Sequence, residues 1–121
     1  MLNEHQLRLL CHMFKFIELY RNGIFRYSDL VNGLESVLDA GDFQNESFVR
    51  EWYAYWLPLE ILNATQGDNT TVKDADVYLH DMESFLKTFF HSEEDILNCL
   101  DDLKLYFANQ VVNMNYLCLL Q

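Results

Sequence analysis

An all-α fold, a single bundle of about five helices over residues 1–121, is predicted by three observations. Apolar residues recur at steps of three and four along most of the chain. A capping-type side chain stands before each of those stretches. One proline and four glycines leave too little turn punctuation for a many-stranded sheet. Half of the residues are hydrophobic and 15% are aromatic, so a chain of this length can bury a core without staples. No repeat or low-complexity linker divides it, which predicts one domain.

The elements follow in order. Asn3, with Gln6 three residues on, forms a capping box. Leu7, Leu10, Cys11, Phe14 and Ile17 then mark one helical face. The helix should run to about Tyr20 and stop at Asn22-Gly23, where glycine accepts the left-handed conformation. Ile24-Phe25-Arg26-Tyr27 reads as a short apolar connection plugged into the core. Ser28 should cap a second helix, with Asp29 in its first turn, where the helix dipole favours an acid. Leu30, Val31, Leu34, Val37 and Leu38 form its stripe, and Gly41 ends it.

A third helix should start at Asp42 or Asn45, with Phe48, Trp52, Tyr55, Trp56 and Leu59 on its apolar face. Pro58 lies within this pattern. Proline lacks an amide hydrogen and clashes with the preceding turn, so a kink or break is expected near Tyr55 to Leu57. The helix should resume and end at Gly67. Gly67 to Thr71 is a polar loop. Thr71 with Asp74 caps a fourth helix, with Ala75, Leu79, Met82, Leu86 and Phe89 inward and Val72, Phe85 and Phe90 flanking. Ser92 with Asp95 caps a fifth, whose core face is Ile96, Leu100, Leu103 and Phe107. The tail from Val111 reads equally as a last helix, a strand or an arm pairing with another chain.

Cys11, Cys99 and Cys118 are odd in number and widely spaced, with no zinc-type spacing. They read as buried reduced thiols of a cytosolic protein. The N-terminus, Met1-Leu2-Asn3-Glu4-His5, lacks the basic, apolar and small-residue regions of a signal peptide. The tail, the longest uncharged apolar stretch, is far too short to span a bilayer.

Eight Lys and Arg against 19 Asp and Glu give a formal net charge of −11. That balance excludes non-specific nucleic-acid binding, which needs cations for phosphate. It equally excludes docking on an anionic membrane. A basic protein partner, a metal or plain solubility remain. Residues 1–57 carry 8 acids and 5 bases; residues 58–121 carry 11 acids and 3 bases, a net of −8. In that half, Asp74 and Asp81 are seven apart on the fourth helix, and Asp76 and Glu83 read as a neighbouring stripe. Glu94 and Asp101 share a stripe of the fifth helix, as do Asp95 and Asp102. An acidic array of this kind is either a solvated surface or a face that steers a basic partner.

The other constellations weigh less. His5 and His12 are seven apart, wider than the three or four residues of one-helix metal ligands. His80, between Asp76 and Glu83, lies in an ordinary solvated stripe with Lys87. No serine or cysteine sits in a nucleophile elbow. The paired carboxylates, such as Glu93-Glu94-Asp95, are expected by chance among 19 acids. No metal, no cofactor and no enzymatic activity are therefore expected. Trp52 and Trp56, at i and i+4, read as core. Tyr53 reads as lying on the opposite side, facing solvent as a binding anchor. The candidate partner-binding set is Asp74, Asp76, Asp81, Glu83, Glu94, Asp101, Asp102 and Tyr53.

Over residues 14 to 90 the pattern resembles the small acidic α-helical immunity proteins of bacterial polymorphic-toxin and contact-dependent growth-inhibition systems. The similarity lies in an aromatic-rich first helix ending at Gly23, then Asp29-Leu30-Val31 with Leu34-Glu35. A helix with Trp52 and Trp56-Leu57-Pro58-Leu59-Glu60 follows, then a polar loop and an amphipathic helix. The resemblance implies a cytoplasmic binding protein that neutralises a cognate toxin domain, often a nuclease. Such a site is basic because it binds phosphate, and carboxylates can stand in for that phosphate. No residue role carries over, because binding residues in these families are specific to each pair. The other reading is a small helical interaction or adaptor module, monomeric or homodimeric through the tail, without inhibitory activity.

Overall fold

The computed structural model describes residues 2–101 together with 103 and 104. Its described elements are all helical: α1 (Glu4–Arg21), α2 (Tyr27–Ala40), α3 (Glu46–Gln66), a 3₁₀ turn (Gly67–Asn69) and α4 (Val72–Lys87). A fifth helix, α5, begins at 93 and continues through 101 and at 103–104. The expected Phe107 contact, Asp102 and the tail from Val111 lie outside the described residues.

Local chemistry sets the helix starts. Asn3 Oδ1 accepts the Gln6 amide at 2.8 Å, and Gln6 Oε1 accepts the Asn3 amide at 3.1 Å, the reciprocal box of α1. Asn22 ends that helix, and Gly23 turns away with φ +77°. Asn45, not Asp42, starts α3 by accepting the Phe48 amide at 3.0 Å. Thr71 Oγ1 accepts the Asp74 amide at 3.1 Å, and Ser92 Oγ accepts that of Asp95 at 3.3 Å.

The start of α2 differs from expectation. The helix begins at Tyr27 with Arg26 at the cap position, so Ser28 is already inside it. Asp29 accepts the Arg26 amide at 3.2 Å. The Ser28 amide is taken by Asp68 Oδ1 at 2.9 Å, from the α3–α4 connection. A cap supplied 40 residues away has no local signature.

The helix α3 runs unbroken from Glu46 to Gln66 with Pro58 inside it. The carbonyl that Pro58 leaves without a donor is that of Ala54, an exposed residue, so water can satisfy it. Packing therefore carries the helix through: Trp52, Trp56 and Leu59 are buried on one side of this segment.

The first four helices close a ring, α1 on α2 and α3 on α4, joined by α2–α3 and α1–α4 contacts. One core fills it, with Leu10, Met13, Ile17, Leu30, Leu34, Trp52, Leu79 and Met82 among its fully buried side chains. The tryptophan rings stack at 6.0 Å. Trp56 Nε1 donates to the Val31 carbonyl at 3.0 Å and Trp52 Nε1 to Met13 Sδ at 3.3 Å. Both indoles are core, as their spacing predicts.

The loop between α3 and α4 is no slack connection. Thr70 is buried, and its carbonyl accepts the Tyr20 hydroxyl at 3.1 Å. Helix α5 lies along α1: Cys99 meets Cys11, while Leu100, Leu103 and Lys104 line a recess with Glu18 and Asn22. Cys11 and Cys99 form a disulfide across 88 residues, which corrects the expectation of reduced thiols for these two, while Cys118 lies outside the described residues. Nothing in sequential spacing marks two cysteines on different helices as neighbours; only the docking of α5 on α1 does.

Candidate protein-binding face

Successive helical residues are about 100° apart, so positions 74 and 76 stand roughly 200° apart on α4. The acids of this helix therefore split between two flanks instead of making neighbouring stripes. Asp74 and Asp81 lie on the flank of Phe85, whose ring stacks on Tyr55 of α3 at 4.9 Å. Asp76 and Glu83 lie on the flank that meets α1.

There Arg21 gathers them. Its guanidinium reaches Glu83 Oε1 at 2.7 Å, Asp76 Oδ1 at 3.0 Å and Glu18 Oε1 at 3.2 Å. The Arg21 side chain is only 19% exposed. Partial burial works against its charge, but hydrogen bonds and attraction from Glu83, then hydrogen bonds from Asp76 and Glu18, raise its pKa overall. His80 bridges the outside of this group, 3.2 Å from Asp76 Oδ2 and 3.8 Å from Glu83 Oε1. Asp76 and Glu83 are thus tied to the fold's own cation.

Tyr53 also departs from its expected place. It is half-buried, with its ring edge-on to both Trp52 and Trp56 at 5.2 and 5.6 Å. Its hydroxyl donates to Glu35 Oε2 at 3.0 Å. Burial, then that hydrogen bond and the repulsion of Glu35 and Asp39, push its pKa up to about 12. Position 53 is one step of the helical wheel from Trp52 and one turn before Trp56, so it belongs on the flank facing α2.

Four of the remaining candidates are exposed. Asp74 and Asp81 make no side-chain ion pair among the described residues, and neither does Glu94, beside the equally exposed Glu93 and Asp95. Asp101 lies 3.7 Å from Lys104 Nζ in a loose, solvent-facing pair. Asp102 lies outside the described residues.

No protein-family model, curated protein or solved structure matches the chain.

The site's chemistry is accordingly that of exposed carboxylates on α4 and at the start of α5. Sequence reasoning missed the second acidic junction, where Arg26 lies 3.2 Å from Asp29 and 3.9 Å from Asp68. Hydrogen bonds from Ser28, chiefly, hold the Asp68 carboxyl below its ordinary pKa, and a hydrogen bond from Arg26 does the same for Asp29. The sequence holds Arg26 and Asp29 at a helical i,i+3 spacing, a visible signal; Asp68 gave none. No helix among the described residues is long and apolar enough to cross a membrane.

Proposed function

We propose that the protein is a stoichiometric inhibitor of a basic toxin domain, a nuclease by preference, without enzymatic activity of its own. The observation that supports this reading is the run of exposed carboxylates with no internal ion pair, Asp74 and Asp81 on α4 and Glu93, Glu94 and Asp95 at the start of α5. Unpaired acids steer a cationic partner, and steering raises association rate more than it raises affinity. Asp76 and Glu83 serve the fold through Arg21, and Tyr53 serves the α2–α3 contact.

On this reading, which rests on the resemblance to immunity proteins, the encounter would be in the cytoplasm of a bacterium. The Cys11–Cys99 disulfide opposes that placement, because such bonds are rare in reducing compartments. Thiol titration of protein quenched directly from cells decides between them.

The direct test is binding to the C-terminal domain of any large secreted protein encoded beside this one. A tight 1:1 complex is expected, with an association rate that falls steeply with salt. Asp74→Asn combined with Asp81→Asn should slow association by about threefold to tenfold with little change in dissociation. Absence of a complex at low salt sinks the proposal.

A further inference from the structure

The helix α5 rests on the bundle by a narrow footing. Among its described residues only Ile96 and Cys99 are buried, whereas α4 buries Ala75, Leu79, Met82, Phe85 and Leu86. Leu100 packs on the core half-buried, and Leu97 faces away, 53% exposed. Of those two buried residues, Cys99 is the one bonded to Cys11 of α1. A helix with so little packing is marginal in water. The other four helices close their ring through contacts among themselves. The covalent bond is therefore a large part of what fastens α5.

Its surroundings also suit exchange. Cys11 is half-buried, less buried than Cys99. Arg8 stands three residues before it and Lys15 four after, on the same face of α1. In a chain with only eight Lys and Arg, two of them bracket this cysteine. The charge of Lys15 is felt at the neighbouring His12, whose pKa is lowered by burial first and by Lys15 second. Cations beside a sulfur favour its thiolate, the form in which it leaves during exchange. Asp95, one turn before Cys99, offsets part of this.

We propose that Cys11–Cys99 is a reversible clasp: a dithiol reductant opens it, α5 undocks from α1, and reoxidation closes it again. A thiolate of the reductant attacks Cys11 Sγ and forms a mixed disulfide. The protein S–S bond breaks, and Cys99 leaves as a thiolate that takes up a proton. The reductant's second thiolate then attacks the reductant sulfur of the mixed disulfide and displaces Cys11. Two protein cysteines are reduced, and the dithiol is oxidised to its own disulfide. The ring keeps its contacts, so the change is confined to α5 and the acids it carries, Glu93, Glu94 and Asp95. The clasp stands whether or not the inhibitor reading does. It also reconciles the bond with a reducing compartment, where it would be open.

The test uses the full chain carrying Cys118→Ser, so that only this pair can exchange. The folded protein is equilibrated, without denaturant, with mixtures of reduced and oxidised thioredoxin. Both thiols should appear and disappear reversibly across the series. Hydrogen exchange in residues 93–101 should quicken by at least about tenfold on reduction, with α1 to α4 unchanged. Cys99→Ser should show the quickened exchange permanently and ignore thioredoxin. Arg8→Gln combined with Lys15→Gln should slow reduction by at least about threefold. The proposal is overturned by a bond that opens only in denaturant, or by α5 still protected in the reduced chain or in Cys99→Ser. Protection lost equally from α1 to α4, or a reduction rate indifferent to the two cations, overturns it as well.

Discussion

Arg21 joins α1 to α4 through carboxylates 55 and 62 residues away. Removing it leaves three acids facing one another with no cation between them, and a stranded half-buried charge costs more than the intact pair contributes. Arg21→Met should therefore destabilise the fold by about 1–3 kcal/mol in urea titrations, after discounting for solvent at Asp76. Arg21→Lys should recover only part of that, because an ammonium cannot grip two carboxylates in a fork. At Asp68 the sign of the pH effect follows from its lowered pKa. A carboxyl depressed in the folded state adds stability above its unfolded value and loses it as pH falls through the folded one. Asp68→Asn keeps an acceptor for the Ser28 amide but removes the charge. Its urea midpoint should lie below wild type at neutral pH, and the gap should close as pH drops below the ordinary value of 3.8. A gap that persists in acid would show that geometry, not charge, matters there.

Among the elements, α3 and α5 depend most on their surroundings. Proline in a helix interior costs about 3 kcal/mol, yet the freed Ala54 carbonyl is exposed, and proline also restricts the unfolded chain by up to about 1 kcal/mol. Pro58→Ala should thus raise stability by only about 1 kcal/mol, read from thermal and urea unfolding. The helix α5 reaches the core through Ile96 and is bonded to α1 through Cys99. Cys11→Ser should lower stability by about 2–4 kcal/mol, since the bond closes a long loop of the unfolded chain. Hydrogen exchange should rise first in residues 93–101, with α1 to α4 keeping their protection. Uniform loss of protection would instead make α5 integral to the bundle.

Across the whole molecule the charge of −11 divides into two uses. Part of it is internal: Glu18, Asp76 and Glu83 on Arg21, and Asp29 and Asp68 around Arg26. Part is external, on the Asp74–Asp81 flank and the start of α5, and also on Glu4, Asp39, Asp42, Glu46 and Glu51 elsewhere on the surface. The internal part stabilises the ring of helices, so salt should lower stability only slightly there. The external part repels itself and costs the free protein stability. Neutralising Asp74 and Asp81 together should therefore leave the urea midpoint equal or slightly higher while slowing partner capture. A large fall in stability would place those acids in the internal group.

The sequence by itself determined the helices, their order, most of their caps and the core stripe. These are short-range matters: Asn3 and Gln6, Thr71 and Asp74, or the 3–4 spacing of Ala75 to Leu86 lie within a few residues of one another. Only the tertiary structure decided which acids are free. Asp76 and Asp74 are chemically alike and two residues apart, yet 200° of helix turns one onto Arg21 and the other to water. The same holds for Cys11 and Cys99, for Asp68 at the Ser28 amide, and for Tyr53 against Glu35. Each of these pairings joins different elements, and its partner is chosen by how the helices dock, which no local pattern encodes.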